Sequence, residues 1–63
     1  MIRTGALVQV IRPNLRETGK HGVVTAFDES LGWYSVDLYG GPPFRGNYEE
    51  QELEVVKEQG DRL

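Results

Sequence analysis

A single small all-β domain, five short strands curled into a barrel with one 3₁₀ turn before the last, is what this sequence predicts. Three observations lead there. Eight glycines and three prolines punctuate only 63 residues. The runs between these breaks are short and rich in valine, leucine and aromatics. The clearest of them alternates apolar and polar residues with the period of a strand. This length holds one domain, and with no cysteine neither disulfides nor thiolate metal sites can reinforce it.

The first strand is Ala6-Leu7-Val8-Gln9-Val10-Ile11-Arg12, stopped by Pro13, which has no amide hydrogen for a ladder. Val8 and Val10 share one face, Leu7 and Ile11 the other, so both faces ask for cover. Asn14 to Gly19 is polar and forms the first long loop. Gly22-Val23-Val24-Thr25-Ala26-Phe27 is the second strand, and Asp28 to Gly32 is a hairpin connection longer than the two-residue kind. Trp33-Tyr34-Ser35-Val36-Asp37-Leu38-Tyr39 is the third strand, with Tyr34, Val36 and Leu38 on one face and Trp33, Ser35, Asp37 and Tyr39 opposite.

Gly40-Gly41-Pro42-Pro43 ends it. Phe44 to Tyr48 is a short fourth strand or ordered loop. Glu49 to Leu53 makes one helical or 3₁₀ turn, since its residues tolerate helical geometry and none is β-branched. Glu54 to Lys57 is the closing strand, which sets the domain at 1–57, and 58–63 is a polar, frayed tail. A sheet this small buries one face only by curling on itself. The expected core is Val8, Val10, Val24, Ala26, Val36, Leu38, Leu53 and Val55. Each large aliphatic in it contributes roughly 1.5–3 kcal/mol before entropy is subtracted.

Charge argues about partners. The formal net charge is −3, yet residues 1–46 carry +1 and residues 47–63 carry −4. A nucleic-acid surface needs concentrated positive charge, so nucleic acid is not the favoured partner. The longest apolar run is too short to span a bilayer and no leader pattern opens the chain, so a soluble, cytoplasmic protein without membrane contact is expected.

The order of motifs is familiar. Gly5-Ala6-Leu7-Val8-Gln9-Val10, Gly19-Lys20-His21-Gly22-Val23-Val24, Tyr34-Ser35-Val36-Asp37-Leu38 and Glu52-Leu53-Glu54-Val55-Val56 together resemble an SH3-like barrel over nearly the whole chain. Within that fold, Val8-Gln9-Val10-Ile11-Arg12-Pro13, Gly22-Val23-Val24 and Glu52-Leu53-Glu54-Val55-Val56 look most like the photosystem I reaction-centre subunit IV family. KOW-type domains share the Gly22-Val23-Val24 pattern. Val36-Asp37-Leu38-Tyr39 loosely echoes the pore segment of plasmid-type SH3-barrel dihydrofolate reductases, with a carboxylate where that family has an amide. The resemblance implies a fold and leaves function to particular residues.

Those residues do not form catalytic machinery. His21 is the only histidine and lacks the partners that metal binding or acid–base work requires. Glu49, Glu50, Glu52 and Glu54 do not follow the calcium-loop pattern and read as a solvated acidic face. No nucleophile triad, phosphate loop or dinucleotide glycine pattern is present. No enzyme activity, cofactor, metal or small-molecule substrate is therefore expected.

Binding is the better prospect. Pro42-Pro43 stiffens a loop that projects Phe44 and Arg45, the usual composition of an interface anchor, unless Phe44 folds back over the barrel's open end. Trp33, Tyr39 and Tyr48 join them if the strand faces line up, giving a predicted protein interface of Trp33, Tyr39, Phe44, Arg45 and Tyr48. The expected function is a non-catalytic module that binds a protein partner or another copy of itself. The alternative is a KOW-like nucleic-acid or ribosome-associated module using Arg3, Arg12, Arg16, Lys20 and Arg45.

Overall fold

The computed structural model describes residues 2–57, so the expected frayed tail at 58–63 lies outside the described residues. Five strands form, β1 (Leu7–Val10), β2 (His21–Asp28), β3 (Trp33–Leu38), β4 (Phe44–Tyr48) and β5 (Leu53–Lys57), with a lone 3₁₀ turn at Glu50–Glu52 before the last. All pair antiparallel in one sheet, in the order β4-β3-β2-β1-β5. The hydrogen-bonded ladder runs open from β4 to β5. This is an all-β architecture consistent with an SH3-like layout.

The buried face carries Ile2, Ala6, Val8, Val10, Val24, Tyr34, Val36, Leu38, Tyr48 and Leu53, with Leu15 and Phe27 packed against it. Two residues expected there are not buried. Ala26 is exposed, because the β2–β3 register shifts between Val24 and Ala26. Thr25 is the extra residue of this bulge, and one extra residue reverses the facing of everything after it. Phe27 turns inward in place of Ala26, its ring centroid 4.5 Å from that of Tyr34. Val55 pairs with Val8 and so lies on the core side, yet it is 37% exposed. It belongs to an edge strand, past which no further strand of the sheet lies to cover it.

Tyr34 and Tyr48 are buried although the expected core omitted them. Each brings a hydroxyl that must find a partner inside. Tyr34 Oη accepts the Ile2 N–H at 3.2 Å, and Tyr48 Oη donates to Glu17 Oε2 at 2.7 Å. The Tyr48 ring also fills the space a side chain at Gly46 would need, with ring atoms 2.7 Å from a Cβ built there.

The loops at the two ends are held by different means. At one end, Asp28 Oδ1 accepts from Ser30 N–H (3.0 Å), Ser30 Oγ (2.7 Å) and Leu31 N–H (3.2 Å). The Gly32 N–H closes onto the Asp28 carbonyl at 2.8 Å with Gly32 at φ 75°, a left-handed position that suits glycine. At the other end, residues 11–20 fold around Thr18, whose Oγ1 donates to the Arg12 carbonyl at 2.6 Å and accepts the Leu15 N–H at 3.0 Å.

Candidate functional site: a groove between two loops

The loop of residues 11–20 and the turn of residues 39–43 leave the sheet at the same end, because β1 runs into the first and β3 into the second while both flank β2. Between them lies an open groove of about 430 Å³. Its apolar surface comes from Leu38, Tyr39, Pro42, Pro43 and Phe44, and its polar rim from Arg16, Glu17 and Lys20. Tyr39 is 54% exposed and Phe44 51%. Phe44 is thus half covered: it pairs with Leu38 on the core side of the sheet at the point where the sheet runs out.

Each wall is fixed by a bond that crosses the groove or its base. Lys20 Nζ donates to the Gly40 carbonyl at 3.3 Å, joining one loop to the other. The Tyr48–Glu17 bond ties the 11–20 loop to β4 from within. Burial first, then the Glu17 carboxylate, pushes the Tyr48 phenol well above its ordinary value, so it stays a donor. Arg12 Nη1 pairs with Glu52 Oε2 at 3.2 Å, holding the same loop against the 3₁₀ turn. Adjacent prolines stiffen the opposite wall.

Of the five residues expected to form an interface, the structure brings Tyr39 and Phe44 together. Trp33 stands at the far end of β3, six residues from Tyr39 and so about 20 Å away along the strand. It lines a separate shallow depression with Ala26, Leu31, Ser35 and Asn47. Tyr48 is only 3% exposed and belongs to the core. Arg45 lies on the outer face opposite Asp37, its Nε 2.7 Å and Nη2 3.4 Å from the two carboxylate oxygens. That hydrogen bond, more than Coulomb attraction, holds the Asp37 carboxyl below the usual carboxylate range. Arg16, Lys20 and Leu38 complete the groove. The sequence points to Arg16 and Lys20 only as basic residues and to Leu38 only as core; its local mark on the groove is the Pro-Pro pair between Tyr39 and Phe44.

Arg12 and Arg45 are engaged by Glu52 and Asp37, while Arg16 and Lys20 face the groove. His21 is exposed at the start of β2. Among the described residues no cluster of three or more metal-ligating side chains occurs, and no helix is long and apolar enough to cross a membrane. No family model matches the chain, and no curated protein matches it.

Proposed function

We propose that this chain is a non-catalytic, SH3-like binding module of the cytoplasm that takes a protein segment in the groove between Tyr39 and Phe44. The observation that carries the reading is the pairing of two half-exposed aromatics across a proline-stiffened turn. Binding to a rigid surface loses less conformational entropy than binding to a loop that must first be ordered. Aromatic rings in a concave site are the usual source of interface affinity. The groove is open and mostly apolar, and two of its three charged rim residues, Glu17 and Lys20, also make hydrogen bonds that hold the loops. Such a lining favours docking over bond-making.

The nucleic-acid alternative is less favoured. Its five basic residues would have to present one continuous positive face, and two of the five are bound to carboxylates.

Peptides selected from a random library on the immobilised chain test the reading. Phe44→Ser and Tyr39→Ser should each weaken the selected peptides at least tenfold, and Trp33→Ser should leave them unchanged. Peptides indifferent to Phe44 and Tyr39 but sensitive to Trp33 would move the binding surface to the other end of the sheet.

A further inference from the structure

The groove asks for an occupant of definite chemistry: a bulky apolar side chain for the space between Tyr39 and Phe44, and an anion near Arg16 and Lys20. Glu17 keeps its negative charge while accepting the Tyr48 hydroxyl, so the rim's surplus positive charge comes from Arg16 and Lys20 together. The same chain displays that chemistry on its opposite flank. β5 is the last strand of the sheet. Its residue Glu54 is exposed, Val55 is 37% exposed and Val56 50%. The β1–β5 register shifts between Leu7 and Val8, where the partners jump from Lys57 to Val55, so Val56 is bulged out of the ladder. Along this uncovered edge Glu54, paired with Gln9, projects to the outer face and Val55, paired with Val8, to the core side, with Val56 bulged between Val55 and Lys57.

We infer that the groove receives the Glu54-Val55-Val56 edge of a second copy, so that molecules associate head to tail. This rests on the groove being a binding surface at all. The two surfaces differ, and a contact between unlike surfaces is heterologous: each copy accepts one neighbour and is accepted by another, so growth does not stop at two. Complementary charge fixes the direction, the cationic rim of one copy meeting the acidic edge of the next. The net charge of −3 on each copy opposes approach at long range. At physiological salt that repulsion is screened beyond about 8 Å, whereas contacting charges still interact. A three-residue edge in a groove lined by ten residues falls short of the roughly 20–30 residues a side of a stable complex, so the association is weak.

Sedimentation equilibrium on the full chain, up to about 1 mM protein to suit this weak class of contact, provides the test. Wild type should grow beyond dimer with concentration. A groove variant, Arg16→Ser with Phe44→Ser, and an edge variant, Glu54→Ser with Val56→Ser, should each associate at least tenfold more weakly. Mixed one to one they should form a dimer and no more, because one retains only the edge and the other only the groove. Circular dichroism establishes that each is folded; if a double variant is not, Arg16→Ser and Glu54→Ser alone serve in its place. A monomeric wild type, a dimer that saturates, or a mixture that stays monomeric while wild type associates would each overturn the inference. A monomeric wild type that still binds selected peptides through Phe44 defeats only the second-copy inference. Loss of that peptide binding as well defeats the groove reading with it.

Discussion

Tyr48 shows how much one side chain can settle. Its ring occupies the space above Gly46, and its hydroxyl reaches Glu17, on the loop that walls the groove. Tyr48→Phe keeps the ring and removes the bond, leaving Glu17 without its buried donor. A loss of about 1–2 kcal/mol is expected in urea unfolding at pH 8, with faster amide exchange in residues 15–18. The pH dependence follows from the phenol being raised in the folded state. Below the ordinary tyrosine value of 10.0 both states hold the proton and the bond contributes fully. Above it the unfolded chain ionises first, so wild type loses stability as pH rises. The difference between wild type and Tyr48→Phe should therefore narrow between pH 8 and pH 11. Gly46 answers to the same ring. Gly46→Ala puts a Cβ into the Tyr48 side chain, and overpacking of this kind costs about 1–3 kcal/mol, measurable by thermal unfolding.

At the scale of the element, the bulge in β2 decides which residues see water. Strict alternation places Ala26 beside Val24 on the core face, and Thr25 breaks that phase. Ala26→Lys should accordingly be nearly neutral, within about 0.5 kcal/mol, whereas Val24→Lys should prevent folding. A severe loss from Ala26→Lys in denaturant unfolding would mean that the strand is not bulged there. The hairpin that follows is organised by Asp28. Hydrogen bonds from the Ser30 hydroxyl first, then from the Leu31 and Ser30 amides, hold its carboxyl below the ordinary range. The charged form is the one the turn uses. Its contribution is present above the unfolded value near 3.8 and is lost as pH falls through the lower folded value. Asp28→Ala should lower the melting temperature at pH 7 and converge on wild type in strong acid.

For the whole molecule, the consequence of topology is that the two ends of the sheet do different things. β3 places Trp33 at one end and Tyr39 just beyond the other, so an aromatic stripe that looks continuous along the chain is divided in space. Five strands and the lone turn were legible from glycine and proline spacing and from alternation in β3, because local geometry fixes both. The core was legible where strands are regular, as at Val8, Val10, Val24, Val36, Leu38 and Leu53. It was not legible at Ala26, Val55 or Tyr48, and at Tyr34 alternation gave the face but not the full burial. Those depend on a bulge, on a strand's place at the sheet edge, and on whether a phenol finds a hydrogen-bond partner more than thirty residues away.

By itself the sequence determined an all-β chain, the position of each turn, and the stiff Pro42-Pro43 segment between two aromatics. Those features follow from backbone torsions and side-chain period, which act over a few residues. Only the tertiary structure decided that Arg16 and Lys20 face Tyr39 and Phe44, that Trp33 stands apart from them, and that Tyr48 belongs to the core. The physical reason is that loops from distant parts of the chain meet only after the sheet has ordered its strands, and register, not composition, sets which side chains then share a surface.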